Sequence, residues 1–266
     1  DLVLIAGRNT DFENVVKEVK SLGLNTDKFV PDHVILIPGF TLEKYNQLRH
    51  SKLSILSMNN FGGLIYRRFV LPILSPTVDM HTSETDFMNF LQNPKENVKK
   101  ELNFIEKKDE EKDEDLDSSI NTLEDFLNNL HFSLQASVGK TDLNFNVFKI
   151  GDTEWHMNNF SDFEEIKQLW NKRSRKINWK NTLVTMYTES PEVLAEFDKL
   201  PFKKKVCFVS FKTDVESGYY IDDPNLTFSM NNSYKLEKNV NSVAKGEINS
   251  YDLWDMLLYG KKTPLK

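Results

Sequence analysis

A run of small and amide side chains followed by two arginines is the first place where residue types in this sequence suggest ligand binding. The run reads SMNNFGG over residues 57–63, and Arg67 and Arg68 follow about one helical turn later. A strand that passes through Gly-Gly into a helix can offer backbone N–H groups and the positive end of the helix dipole to an anion. Guanidinium groups can hold a phosphate or carboxylate with two parallel hydrogen bonds. The pattern predicts one side of an anion pocket, formed by Ser57, Asn59, Asn60, Gly62, Gly63 and Arg67. The alternative is a tight turn with surface salt bridges.

Arginine is scarce in this chain, and its placement is informative. Of six arginines, four lie in two short motifs, at positions 67, 68, 173 and 175. In a lysine-rich chain, this placement suggests a need for the planar guanidinium group. The second motif spans residues 170–181 and predicts the other side of the pocket, formed by Arg173, Arg175, Asn178 and Asn181. The alternative is that these cations offset the dipole at a helix C-terminus.

Two further polar patterns add candidate residues. Asp152, Glu154 and His156 alternate with other residues, so on a strand they would share one face and could form an acid/base or metal constellation. We take Asp152 and His156 as the candidate catalytic residues, the alternative being a solvated strand face. The short polar turn Ser75-Pro-Thr77 follows an apolar run and is a weaker candidate for ligand binding.

Several familiar sites are excluded. Residues 139–141 (GKT) end like a phosphate-binding loop, but Leu134 stands where that motif requires glycine. Neither G-x-G-x-x-G nor G-x-S-x-G occurs. Cys207 is the single cysteine, which excludes an intramolecular disulfide and a zinc site built on several cysteines. Its apolar surroundings predict a buried core residue, and no metal site is predicted.

The elements that must position these residues follow an alternating order of strands and helices, which favours a parallel sheet. The predicted strands are 2–6, 34–37, 53–58, 144–150, 182–187 and 206–211. Helices are predicted to start at two capping boxes, 10–13 and 161–164, at Ser83, Pro94 and Ser190, and to span 41–49, 120–130 and 251–259. The segment between the third strand and residue 144 is irregular.

Charge is concentrated in one place. The chain has 266 residues and a net charge of −6, of which residues 106–117 carry eight acids and three lysines. The remainder is nearly neutral, so a basic surface for nucleic acid is not expected. The acidic run is expected to be a solvated loop or helix edge. No apolar stretch reaches the ~20 residues that span a bilayer, so we expect no membrane insertion and a cytoplasmic location.

Four motifs, in this order, resemble an uncharacterised bacterial family usually described as exopolysaccharide or capsular polysaccharide biosynthesis proteins. They are SMNNFGG at 57–63, SPT at 75–77, DFxxFL at 86–91 and WxxRxRxIN at 170–178, and the resemblance covers roughly residues 50–215. It implies an α/β protein encoded among polysaccharide genes. Residues 1–40 also resemble the second half of a Rossmann-like module of sugar-modifying proteins, whose glycine-rich first half would lie upstream.

The sequence departs from this family at two positions. The family often has Cys where this chain has Asn60, and a His-Tyr pair at the position of Asn159-Phe160. If that Cys and His act as nucleophile and acid/base, this chain lacks both groups, so ligand binding carries over more easily than catalysis.

Together, these observations predict an α/β fold with a Rossmann-like, mostly parallel sheet, flanking helices and an irregular middle segment. Residues 1–50 would form a partial Rossmann-like module, and 51–266 the family domain, with an acidic linker or loop at 106–118. The expected function is a transferase, glycosyl or acyl, that acts on an activated or phosphorylated sugar such as a nucleotide sugar. The alternative is a non-catalytic ligand-binding or scaffold protein of the same pathway. The expected partner is a small anionic or sugar ligand.

Overall fold

A four-stranded parallel sheet forms the centre of the protein. The computed structural model describes residues 2–109, 144–157, 162–221, 232–245, 248 and 250–265. The strand order is β10-β9-β8-β3, with every neighbouring pair parallel. These strands are β3 (Ser54–Ser57), β8 (Thr182–Thr188), β9 (Lys204–Val209) and β10 (Gly218–Tyr220). Three of them confirm strands predicted from apolar runs, and Cys207 is fully buried in β9, as its surroundings predicted.

Both faces of this sheet are covered, because successive residues of a strand point to opposite sides. Ile55 and Leu183 pack in one hydrophobic cluster, whereas their neighbours Leu56 and Val184 pack in the other. The first cluster receives side chains from helices α2 (Leu42–His50), α3 (Phe61–Arg68), α8 (Asn232–Lys245) and α9 (Leu253–Tyr259). The second receives them from α4 (Glu84–Gln92), α6 (Phe163–Ser174) and α7 (Pro191–Asp198).

Strand β3 lies at the edge of the parallel sheet, and side-chain hydroxyls satisfy its outward N–H groups. The Ile55 N–H donates to the Tyr66 hydroxyl at 2.9 Å, and that hydroxyl donates to the Leu53 carbonyl at 3.2 Å. The Ser57 N–H donates to Thr77 Oγ1 at 3.2 Å. The edge of β3 is therefore occupied by side chains of α3 and of the segment that follows it.

An antiparallel sheet stands where the sequence predicts an irregular segment and a single strand. Its order is β4-β7-β6-β5, so the expectation of a mostly parallel sheet needs correction. The strands are β4 (Met80–His81), β5 (Leu102–Asp109), β6 (Asn144–Ile150) and β7 (Thr153–Met157). A tight turn at Gly151 joins β6 to β7; its φ of +62° is a left-handed conformation that glycine adopts without strain. The described residues therefore form a mixed α/β protein, and a Rossmann-like arrangement stays a prediction.

The N-terminal residues form a small sheet of their own. β1 (Val3–Ile5) pairs in parallel with β2 (Phe29–Pro31), and α1 (Asn9–Ser21) connects them. The strand predicted at 34–37 is wrong, because residues 32–34 form a 3-10 turn after Pro31. Val34 and Ile37 are buried while Leu36 is 72% exposed, so the apolar run has a spacing of three rather than the alternation of a strand.

The predicted helix starts are confirmed at three positions where a side chain caps the helix. The side chains of Thr41, Ser83 and Ser190 each accept a hydrogen bond from a backbone N–H of the first turn of α2, α4 and α7. The predicted capping boxes are less accurate, since α1 begins at Asn9, and the cap of α6 is Asp162. Helix α5 (Pro94–Asn97) starts at the predicted proline, and α9 ends at Gly260 in the left-handed conformation.

The acidic run is described only at its start. Residues 106–109 continue strand β5, while residues 110–117 and the predicted helix 120–130 lie outside the described residues. Within the described ranges, no helix combines the length and the apolar character needed to cross a bilayer.

Candidate functional site

The Gly-Gly segment lies inside a helix, and the backbone donors at its start bind protein side chains. Helix α3 begins at Phe61, so Gly62 and Gly63 belong to its first turn. The Phe61 N–H donates to Asn59 Oδ1 at 3.0 Å, and the Gly62 N–H donates to Ser57 Oγ at 3.2 Å. These two donors therefore face protein side chains rather than a ligand, contrary to the sequence interpretation. Ser57 and Asn59 stabilise the turn from β3 into α3.

Both glycines have close neighbours that an added side chain would have to displace. A Cβ on Gly62 would lie 3.0 Å from Ser57 Oγ and 3.2 Å from Ile55 Cγ2 in the buried core. A Cβ on Gly63 would overlap Asn60 Oδ1 and lie 3.2 Å from Arg67 Nη2. Gly63 thus allows the Arg67 side chain to fold back over the first turn of α3 and the Asn60 amide to lie beside it.

The Ser75-Pro-Thr77 turn positions the next part of the site. The Thr77 N–H donates to Ser75 Oγ at 3.3 Å, and the two hydroxyls lie 3.2 Å apart in a buried environment. Because Thr77 also binds the β3 backbone at Ser57, the turn fixes the segment 77–79 next to the end of β3. The Asp79 N–H then donates to Asn60 Oδ1 at 3.3 Å. Ser75 and Thr77 therefore hold the site in place from within the core.

Two arginines from different helices meet at one carboxylate. Arg67 Nη1 lies 2.9 Å from Asp79 Oδ1, and Arg173 Nη2 lies 3.9 Å from Asp79 Oδ2. Arg173 Nη1 also donates to the Val78 carbonyl at 3.2 Å. The Arg67 side chain is 43% exposed and that of Arg173 only 13%. We call Arg67, Asp79 and Arg173 the arginine cluster.

The electrostatics of the arginine cluster favour an additional anion. The pKa of Arg173 is lowered, chiefly by burial. The Asp79 carboxylate opposes this shift, and the neighbouring Arg67 cation adds to it. Arginine stays protonated at neutral pH despite such shifts, so two positive charges share one carboxylate and leave an excess of one. Because Arg67 is open to solvent on one side, an incoming phosphate or carboxylate can contact the cluster there.

Asp79 is the member of the cluster that the sequence analysis missed. It has a φ of +66°, a left-handed conformation that Asp tolerates better than most residues. A signal was available, since an acid two residues after the Ser75-Pro-Thr77 turn can reach whatever that turn approaches.

A second group of polar residues lies on the antiparallel sheet. Glu154 and His156 share the outer face of β7, where burial alternates with each residue, and His156 Nε2 lies 3.2 Å from Glu154 Oε1. His81 on the neighbouring strand β4 stacks on His156, with ring centroids 4.9 Å apart. Asp152 lies apart from this group, exposed in the turn between β6 and β7. The sequence analysis missed His81, which becomes a partner only through strand pairing.

The remaining predicted residues lie elsewhere. The Asn178 side chain donates to the Lys52 carbonyl at 3.0 Å, and the Asn181 side chain donates to the Ser51 carbonyl at 2.8 Å. Both contacts lie before the start of β3, at the opposite end of that strand from Gly62. Arg175 is exposed just beyond the end of α6. The structure therefore brings Arg173, but not Asn178 or Asn181, to the Gly-Gly turn.

Comparison with known proteins assigns the family. The model of a domain of unknown function, DUF1919, matches residues 33–254. The chain belongs to the DUF1919 family. An uncharacterised protein of Haemophilus influenzae is 24% identical over 184 residues, which cover 66% of this chain and 70% of that protein. The β1-α1-β2 unit, in contrast, lies outside the match.

The DUF1919 domain contains both polar groups described above. The arginine cluster provides two guanidinium groups for an anion, and the pair Glu154–His156 provides a carboxylate and an imidazole within hydrogen-bond distance. Among the residues that the structure describes, no group of three or more His, Cys, Asp or Glu side chains is arranged to hold a metal ion. The chemistry offered by these DUF1919 residues is anion binding together with hydrogen bonding or proton transfer.

Proposed function

We propose that this chain binds the anionic group of an activated or phosphorylated sugar at the arginine cluster, and that it acts as a transferase of surface-polysaccharide biosynthesis. The carrying observation is that Arg67 and Arg173, from helices on opposite faces of the sheet, converge on the single carboxylate of Asp79. A nucleotide sugar is the leading candidate substrate, and the sugar and pathway come from the family resemblance.

The acid/base role falls to His156 rather than to Asp152. His156 lies beside Glu154, which can orient the imidazole and stabilise its protonated form. Asp152 is exposed in a turn and has no comparable partner among its described contacts. Transfer of a glycosyl group and transfer of an acyl group both need a base for an incoming hydroxyl.

A second candidate function, a non-catalytic ligand-binding or scaffold protein of the same pathway, is favoured by a specific observation. Ser57 and Asn59 are used to hold the turn, and Asn60 accepts from the Asp79 backbone. Most of the predicted pocket residues thus have structural contacts, which fits a protein whose arginine cluster only anchors a ligand.

A thermal-shift panel with UDP-glucose, UDP and acetyl-CoA tests the proposal. A ligand at a hundredfold excess over its Kd stabilises the folded state by about 2.7 kcal/mol. We expect Arg67→Ala and Arg173→Ala to abolish the shift caused by the ligand that binds. Arg173→Lys serves as a second variant, because it keeps the charge but loses the planar fork in a half-buried position.

Arg175→Ala is the matched control, since it removes the same charge from the exposed end of the same helix. The proposal is overturned if no member of the panel shifts the transition, if Arg67→Ala retains the full shift, or if Arg175→Ala loses as much as Arg67→Ala. Acetyl-CoA as the sole binder would favour acyl over glycosyl transfer.

A further inference from the structure

The outer face of strands β4 and β7 carries a polar surface next to the arginine cluster. Met80 and Met157 pair across these strands, and both are buried in the second hydrophobic cluster. Because side chains alternate along a strand, the next pair, His81 and His156, lies on the other face. Glu154 joins them there, two residues before His156. We call His81, Glu154 and His156 the histidine group.

The histidine group offers both donors and acceptors of hydrogen bonds. Glu154 Oε1 and His156 Nε2 are 3.2 Å apart, and their side chains are 35% and 26% exposed, so both remain accessible to a ligand. The His81 side chain is partly exposed, and loss of solvation within the protein lowers its pKa to about 3, with a smaller contribution from the nearby His156. A neutral imidazole both donates and accepts, which suits hydroxyl groups.

The histidine group is close to the arginine cluster because one short segment connects them. Asp79 and His81 are two residues apart, so their Cα atoms are separated by at most about 7 Å. Both ends of this segment are fixed: the Asp79 N–H donates to Asn60 Oδ1 at 3.3 Å, and the Thr82 N–H donates to the Met58 carbonyl at 3.0 Å. This upper limit on the distance between the Asp79 and His81 Cα atoms is no longer than a phosphorylated monosaccharide.

The charges of the two groups differ, and this indicates what each binds. The arginine cluster has one excess positive charge, which suits an anion. The Glu154 carboxylate would repel a second anion but accepts hydrogen bonds from neutral hydroxyls. A ligand with a phosphate at one end and hydroxyls at the other fits both groups, whereas a ligand carrying phosphate at both ends does not.

We propose that Glu154 and His156 bind the hydroxyl groups of a phosphorylated polyhydroxyl compound whose phosphate is held by Arg67 and Arg173. This inference rests on the proposed function, and it adds that the ligand is recognised through its hydroxyls as well as through its anion. His81 supports the contact by stacking on His156 and fixing the orientation of the ring.

Binding of methyl phosphate and of glucose 1-phosphate, measured by isothermal titration calorimetry, separates the two parts. Both are phosphate monoesters of similar charge, and only the second carries a ring of hydroxyls. We expect the wild-type chain to bind glucose 1-phosphate at least about tenfold more tightly, the effect of one good hydrogen bond to a charged group. Glu154→Gln and His156→Gln should each bring this ratio towards one without weakening the binding of methyl phosphate.

Glu165→Gln is the matched control, because it removes one negative charge from an exposed position in the first turn of α6. Two independent variants, each checked for an unchanged melting temperature, keep the result interpretable if one of them folds poorly. Equal affinity of the wild-type chain for the two esters overturns the inference and leaves the proposed function standing. The inference also fails if the preference survives in both variants or is lost in Glu165→Gln. Absence of binding to both esters overturns the proposed function and the inference together.

Discussion

Replacing Gly63 by alanine is expected to destabilise the protein through one neighbour, Asn60. The new Cβ would overlap Asn60 Oδ1, so the amide must turn away and give up its hydrogen bond from the Asp79 N–H. That bond has a net value of about 1 kcal/mol, and an off-rotamer side chain costs about 1 kcal/mol more. Alanine recovers about 0.9 kcal/mol through its higher helix propensity. The free energy of unfolding should therefore fall by about 1 kcal/mol.

A double-mutant cycle with Asn60→Ala isolates this clash. In the Asn60→Ala background neither the overlap nor the hydrogen bond exists, so Gly63→Ala should stabilise the protein by about 0.9 kcal/mol. The coupling energy between the two positions is then about 2 kcal/mol, well above the scatter of independent sites. Urea unfolding followed by circular dichroism, with unchanged m-values, measures all four proteins.

Gly62→Ala provides the matched control at the adjacent position. Its Cβ would press on Ser57 and Ile55 rather than on Asn60, so its overpacking cost, about 1–3 kcal/mol, should be the same in both backgrounds. If Gly63→Ala changes the stability equally in both backgrounds, within about 0.5 kcal/mol, the assigned contact between Asn60 and residue 63 is refuted.

Two further predictions concern titratable groups whose pKa the protein shifts. The pKa of His81 is lowered to about 3, so below pH 6.5 the unfolded chain binds a proton that the folded chain does not. The free energy of unfolding should therefore fall as the pH is lowered from 6.5 towards 3, by up to about 1.4 kcal/mol per pH unit more than in His81→Gln. Urea unfolding of both proteins across this pH range measures the difference. An equal slope in the two proteins would contradict the lowered pKa of this imidazole. Burial raises the pKa of the Cys207 thiol well above its usual value. Ellman's reagent should therefore leave Cys207 unmodified in the native protein and modify it after unfolding. Rapid reaction in the native state would contradict the buried position of Cys207 in β9.

Local sequence signals correctly predicted the strands and helix ends that are determined by residues close to one another in sequence. The strand at 53–58 and the caps Ser83 and Ser190 are examples, since apolar runs and capping side chains act within a few residues. The antiparallel sheet was not predictable in the same way, because β4 and β7 pair over a separation of about 75 residues and β4 has only two residues. The strand predicted at 34–37 failed because an apolar run of four fits a turn as well as a strand.

In the candidate site, too, some residues were predicted from local sequence patterns and others depend on tertiary contacts. The scarcity of arginine singled out Arg67 and Arg173, and the structure brings them together. Their shared partner Asp79 follows the Ser75-Pro-Thr77 turn closely in sequence, but its contacts with both arginines are tertiary and could not be read from that spacing. Asn178 and Asn181 were grouped with Arg173 by proximity in sequence, but residues just before a parallel strand lie at its N-terminal end, away from the Gly-Gly turn after β3.

The hydroxyl groups along the edge of β3 have a consequence for the behaviour of the protein at high concentration. An open strand edge with free N–H groups is a template on which another molecule can add a strand, and this is a common route to aggregation. Here the Tyr66 hydroxyl and Thr77 Oγ1 occupy the outward N–H groups of Ile55 and Ser57. The Ser75-Pro-Thr77 turn, together with Tyr66, therefore protects the β3 edge of the central sheet from strand addition and also holds Asp79 in place.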